Sequence, residues 1–87
     1  MNAVEILNAA ASCIKGRAEQ RDQDSERSMR RAVETYNALT GHTLTERDGW
    51  IFMAVLKLSR AQAGCTVMDD YIDGAAYFAL AGESLAE

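Results

Sequence analysis

Proline is absent from this 87-residue chain, and β-branched residues are few and scattered. Proline interrupts helix interiors, and β-branched side chains favour strands. An alanine-rich chain poor in both is suited to helix and unsuited to sheet. Cysteine is scarce as well. Cys13 and Cys65 could form one bridge at most. No secretory signal precedes them, so both thiols are expected free in a reducing, cytoplasmic compartment. The single histidine, His42, and two widely separated cysteines leave no zinc-type spacing. No run approaches the roughly 18 apolar residues that a membrane span requires. No nucleophilic triad and no glycine-rich phosphate loop can be traced.

What is present is apolar and mildly acidic. Forty-eight per cent of the residues are hydrophobic and the net charge is −4, which argues against general nucleic-acid binding and against a polyanionic DNA mimic. The charge is uneven. Between Lys15 and Arg31 lie six basic residues and four acids, whereas the rest of the chain holds three basic residues and nine acids. That segment is either a solvated face or one that meets an anion. A single domain (residues 1–87) of this size with so much apolar surface needs a staple, a metal or a partner subunit. With no disulfide framework or metal pattern, the expectation is a homo-oligomer, dimer or tetramer, formed through the last two helices. Val55, Leu58, Phe78 and Leu85 are the apolar residues left for that contact.

Four helices are predicted. The first runs from about Asn2 to Lys15, with Val4, Leu7, Ala11 and Ile14 as its apolar stripe and Gly16 ending it. Residues 17–24 show no apolar period and read as an ordered or partly helical loop. Asp24 or Ser25 can cap the second helix, whose core edge is Met29, Val33, Tyr36 and Leu39 and whose end is Thr40-Gly41. The third opens at Thr45-Glu46-Arg47-Asp48, similar to a capping box with Asp replacing the usual Glu. Trp50 to Leu56 is apolar without a break, so this helix should be central, and Gly64 closes it. The fourth starts at Thr66-Val67-Met68-Asp69 and reaches about Leu85, with Ala75, Ala79 and Gly82 as a small-residue stripe. The fold class is therefore all-α, a small four-helix bundle around an antiparallel hairpin of the third and fourth helices, completed by oligomerisation. Within it, Cys13 reads as a small core residue, His42 as a surface residue and Trp50 as a core anchor.

Charges stand where core residues belong on that hairpin. Trp50, Met53, Lys57 and Arg60 share one face of the third helix, and Asp70, Asp73, Tyr77 and Leu80 share one face of the fourth. A short turn makes the pair antiparallel, so facing residues have numbers adding to about 130. Arg60 then faces Asp70, Lys57 faces Asp73, Met53 faces Tyr77 and Trp50 faces Leu80. One reading is two structural ion pairs that fix register. The other is a site: Asp69, Asp70 and Asp73 offer carboxylates to a hard cation such as Mg²⁺, and Lys57 and Arg60 suit phosphate.

Many of these residues carry a resemblance. Arg17-Ala18, Asp22, Glu26-Arg27-Ser28-Met29, Asn37-Ala38-Leu39-Thr40-Gly41, Leu44-Thr45-Glu46, Gly49-Trp50, Phe52-Met53, Leu56-Lys57, Arg60, Asp70, Asp73 and Ala76-Tyr77 resemble a family of small uncharacterised proteins of tailed phages and prophages. The likeness spans Val4 to Leu85, with Arg21 where members carry Tyr. It implies a phage accessory protein in a bacterial cytoplasm. Asp70-Tyr71-Ile72-Asp73 followed by Tyr77 is also similar to the last metal-binding motif of the all-α MazG-like nucleoside triphosphate pyrophosphohydrolases. Their preceding helix carries Glu-x-x-Glu, which is missing here, so that likeness implies helical architecture and oligomerisation more than catalysis.

Two functions follow. In the first, the protein binds a small phosphorylated ligand, possibly a nucleotide, at Lys57, Arg60, Asp70 and Asp73, with Arg17 and Arg21 arching over it and Mg²⁺ at Asp70 and Asp73. The residues leave open whether the ligand is hydrolysed or only held, leaning toward holding; hydrolysis, if any, would be Mg²⁺-dependent and pyrophosphohydrolase-like. In the second, the charged 17–31 segment binds and inhibits a host or defence protein, and the seam is structural.

Overall fold

The computed structural model describes residues 1–20, 28–64 and 67–86. Four helices follow one another: α1 (Ala3–Gln20), α2 (Ser28–Thr40), α3 (Glu46–Ala61) and α4 (Met68–Glu83), with a 3-10 turn at Ser84–Ala86. α4 lies antiparallel against α3 and also packs on α1, while α2 packs on α3. The all-α bundle built on an α3–α4 hairpin is as expected. No helix among the described residues is long and apolar enough to cross a membrane.

Local chemistry sets the helix ends. Asn2 Oδ1 accepts from the Glu5 N–H at 2.8 Å, and the Asn2 N–H donates to Glu5 Oε1 at 2.8 Å, which is a capping box at the start of α1. At α3 the expected box is present. The Asp48 N–H donates to Thr45 Oγ1 at 3.2 Å, and the Thr45 N–H donates to Asp48 Oδ2 at 2.9 Å. Those Thr45 hydrogen bonds, backbone first, hold the Asp48 carboxyl below its ordinary range, with a smaller contribution from Arg47. Gly41 ends α2 at φ +80°, where a side chain would be strained, and its N–H donates to Asn37 O at 2.8 Å. Asn37 then clamps the link to α3. Its Nδ2 donates to Leu44 O at 2.9 Å, and its Oδ1 accepts from the Leu44 N–H at 3.0 Å.

Several expectations are corrected. α1 does not end at Gly16 but runs on to Gln20. Arg17, Ala18, Glu19 and Gln20 include strong helix formers, and their propensity offsets the roughly 1 kcal/mol that an internal glycine costs. Helix 4 begins at Met68 with Val67 in the capping position and no side-chain cap. Thr66, the expected cap, lies outside the described residues, as do Asp24 and Ser25. On α2, Val33 is buried and Met29 half-buried, but Tyr36 and Leu39 are exposed.

The largest correction is the face that α1 buries. Val4 and Leu7 are exposed; Ala10 is buried in a cluster with Ile72 and Ala76, flanked by Ile6, Ala9, Cys13, Ile14 and Ala75. Apolar residues cover more than half of the circumference of α1, so periodicity alone admits either stripe. The side bearing Ala9, Ala10 and Cys13 packs on α4, and small residues there allow close approach to Ala76. On α4 the buried stripe sits one residue round from the expected one, so Ala79 and Gly82 face outward. α3 touches α4, α2 and the 3-10 turn yet has no buried residue.

Candidate functional site

The seam between α3 and α4 forms in the expected register. Lys57 Nζ lies 3.2 Å from Asp73 Oδ2, with the two side chains 13% and 19% exposed. Arg60 Nε lies 3.4 Å from Asp70 Oδ1. That second pair is lopsided, because the Arg60 side chain is 58% exposed and the Asp70 side chain 4%. Asp70 is buried in the first turn of α4, where the free N–H groups and the helix dipole favour a negative charge. Gly74 stands beside Lys57 in this part of the seam. A methyl group on it would meet Lys57 Cβ at 3.5 Å, an ordinary contact.

Two turns back along α3 from Lys57 the seam becomes aromatic. The Trp50 and Tyr77 rings stack with centroids 5.9 Å apart and planes 21° from parallel. The indole N–H donates to Glu46 Oε2 at 3.1 Å. Residue numbering alone put Trp50 opposite Leu80; the wide rings instead meet one turn earlier in an offset stack, the arrangement that aromatic quadrupoles favour. Trp50 is half-buried, so it anchors the hairpin without being enclosed.

Of the residues expected in a ligand site, Lys57, Arg60, Asp70 and Asp73 come together. Arg17 falls in the last turn of α1, and nothing of its side chain is described; Arg21 lies outside the described residues. Asp69 is exposed. Among the described residues no group of three or more His, Cys, Asp or Glu side chains could hold a metal ion. The helix facing Asp70 and Asp73 presents cations to them, Lys57 and Arg60, where a two-helix carboxylate cage would present acids. Two cations against two buried or half-buried carboxylates leave the seam with no surplus positive charge for an anion.

Away from the seam, Cys13 is a free thiol packed at the edge of the α1–α4 cluster, and His42 is exposed and stacks on Tyr36 at 5.9 Å. The sequence reading missed Asn37. An Asn seven residues before a backbone it clamps has no periodic signature. It also missed the Asn2–Glu5 box, whose Asn-x-x-Glu spacing was a readable signal.

Fold and seam define a small all-α protein whose central hairpin is held by ion pairs and an aromatic stack. The chain belongs to the family described as a domain of unknown function, DUF6378, which matches residues 5–85. No curated protein and no solved structure matches the chain.

Proposed function

We propose that this protein is a non-enzymatic interaction module, acting by binding another protein, with the charged seam serving as its internal lock. The observation that carries the reading is the distribution of apolar surface. Each of the four helices displays large hydrophobic side chains to solvent: Leu7 on α1, Leu39 on α2, Phe52 and Leu58 on α3 and Phe78 on α4 are all at least 60% exposed. Large apolar side chains left to solvent in this number support contact with another molecule. The seam charges are already matched with one another and so are occupied in holding the hairpin. Likeness to small proteins of tailed phages supports a host or defence protein of the bacterial cytoplasm as the partner class, and an accessory role in infection or lysogeny.

A phosphorylated ligand at the seam is the second reading, favoured by Arg60. Its guanidinium has five donors and remains 58% exposed beside Asp70, so it has donors to spare for a phosphate. One experiment separates the two. Tagged protein is purified from its natural host, and the eluate is analysed for both proteins and small molecules. A stoichiometric protein partner, lost in Phe78→Glu and retained in Lys57→Met, supports the interaction module. A nucleotide or other phosphate ester that co-purifies with wild type but not with Lys57→Met overturns it. Thermal denaturation with nucleotides, with and without Mg²⁺, gives the same answer in vitro, because ligand binding to the native state raises its stability.

A further inference from the structure

α2 is held to the rest of the molecule by one narrow contact. Among the described elements it packs on α3 alone. Val33 is its one buried residue, and Met29, one turn earlier, is half-buried. Both close on the same spot, Gly49 in the first turn of α3. A methyl group on Gly49 would lie 2.9 Å from Val33 Cγ2, 3.1 Å from Met29 Cγ and closer still to the Met29 sulfur. The thioether is thus seated directly on the backbone of α3, in the space that a side chain would fill.

The two ends of α2 are fastened by different chemistry. At its C-terminal end the Asn37 amide holds Leu44 through two hydrogen bonds, and the Gly41 N–H donates to Asn37 O. Toward the N-terminal end the contact is apolar. The polar groups of the adjoining turn of α3 are engaged elsewhere. The Gly49 N–H donates to Thr45 O at 3.2 Å, and Thr45 and Asp48 close on each other in the capping box. Arg30, next to Met29, is turned outward to Glu34, with the two side chains 65% and 68% exposed.

We propose that Met29 is a peroxide-sensitive latch, whose oxidation releases the N-terminal half of α2 from α3. A sulfur lone pair attacks one oxygen of hydrogen peroxide. The S–O bond forms as the O–O bond breaks, and the proton on the transferred oxygen leaves with the departing hydroxide as water. Sulfur gives up two electrons and the peroxide takes them. The product is a sulfoxide, polar where the thioether was apolar. Seated on Gly49, its oxygen would meet a backbone whose N–H is already spent, and an acceptor buried without a donor is costly. Undocking hydrates it. The bonds of Asn37 and Gly41 do not depend on the sulfur, so α2 pivots on its C-terminal end and bares Val33. A dithiol-driven sulfoxide reductase reverses the step, removing the oxygen as water. Met1 and Met68 offer no such leverage, since they are 62% and 41% exposed and their sulfoxides would be hydrated where they stand. The latch is independent of what the protein binds.

The test follows one helix. The purified full chain is treated with hydrogen peroxide, peptide mass spectrometry locates the added oxygen, and amide exchange is read helix by helix. Met29 is expected to gain one oxygen. The amides in the first half of α2 should then exchange about tenfold faster or more, because the burial of one apolar side chain is undone, while α3 and α4 keep their protection. The methionine sulfoxide reductases for both epimers should restore the original rates. Met29→Leu, close in volume, should keep α2 protected before and after peroxide although Met1, Met53 and Met68 remain oxidisable. Met29→Gln should free α2 with no peroxide added. If Met29→Leu fails to dock α2, the cycle of oxidation and reduction in wild type decides. Four results overturn the proposal: α2 loosened by peroxide in Met29→Leu, α2 unchanged when Met29 is fully oxidised, Met29 untouched while Met1 and Met68 react, or α2 still open after reduction.

Discussion

α4 is held from two sides by opposite means. Against α1 it presents Ile72 and Ala76, which close on Ala10 with no charge between them. Against α3 it presents Asp70, Asp73 and Tyr77, which meet Arg60, Lys57 and Trp50. The first contact removes apolar surface from water and sets how closely the helices approach. The second contributes little net stability but admits a single register, because sliding by one turn would keep one acid at most opposite a cation and leave the other unmatched. Burial and specification are thus separated on two faces of one helix.

Substitutions can break that division, beginning where the effect is largest. Arg60→Met should destabilise by about 3 kcal/mol, because it leaves Asp70 buried without its cation. Asp70→Leu should cost clearly less, since the orphaned Arg60 is already more than half in water. Equal losses in chemical denaturation would mean that the pair acts as a surface bridge. On the other face, Ala76→Leu should cost about 2 kcal/mol by forcing α1 away from α4. Ala76 is 2% exposed, so a neutral result would show that the α1 contact is loose.

Two glycines inside helices sharpen the comparison further. A methyl group at Gly49 would lie 2.9 Å from Val33 Cγ2 and closer still to the Met29 sulfur. Gly49→Ala is therefore expected to lower stability by about 1 kcal/mol or more, through displacement of α2. Gly74→Ala meets only an ordinary contact with Lys57 and should raise stability by about 0.5–1 kcal/mol through helix propensity. Melting temperatures moving in the same direction for both would refute the difference. The smallest net change is expected for Lys57→Met combined with Asp73→Leu. The double variant should stay within about 1 kcal/mol of wild type while each single change is worse, since apolar replacement of a buried pair is often neutral. A double variant no better than the singles, measured in a thermodynamic cycle, would show that the two charges do not act as a pair.

What the sequence made legible was whatever depends on local spacing or on paired chemistry. Thr45 and Asp48 announced the start of α3 because a capping box needs only four consecutive residues. Asp70 and Asp73 found Arg60 and Lys57 because opposite charges on facing helical stripes allow one matching register. The α1 face was not legible, since apolar side chains cover more than half of that helix's circumference and burial was decided by a partner far along the chain. Gly16 read as a terminator because spacing does not reveal whether the next turn will continue. Asn37, Gly41, Thr45 and Gly49 each build the fold. Asn37 clamps a loop, Gly41 makes a left-handed turn, Thr45 caps a helix and Gly49 permits a close approach. The seam residues Lys57, Arg60, Asp70 and Asp73 belong with them as builders of the hairpin. Their place in a ligand site rested on charge type alone, which does not distinguish a lock from a pocket.

The order of helices around α4 also governs how the chain assembles. α3 and α4 are joined by a short turn, so their pairing closes a small loop and costs little chain entropy. α1 reaches α4 only by closing a loop that contains both α2 and α3, and loop-closure entropy grows with length. The hairpin is therefore expected to form first, with α1 docking onto it afterwards. Amide exchange should reveal the same hierarchy, with the seam-facing turns of α3 and α4 the last to open and α1 detaching first. Until α1 arrives, Ile72 and Ala76 stand bare on α4 as the landing site for Ala10, so some of the smallest side chains in the molecule are the ones that complete its folding.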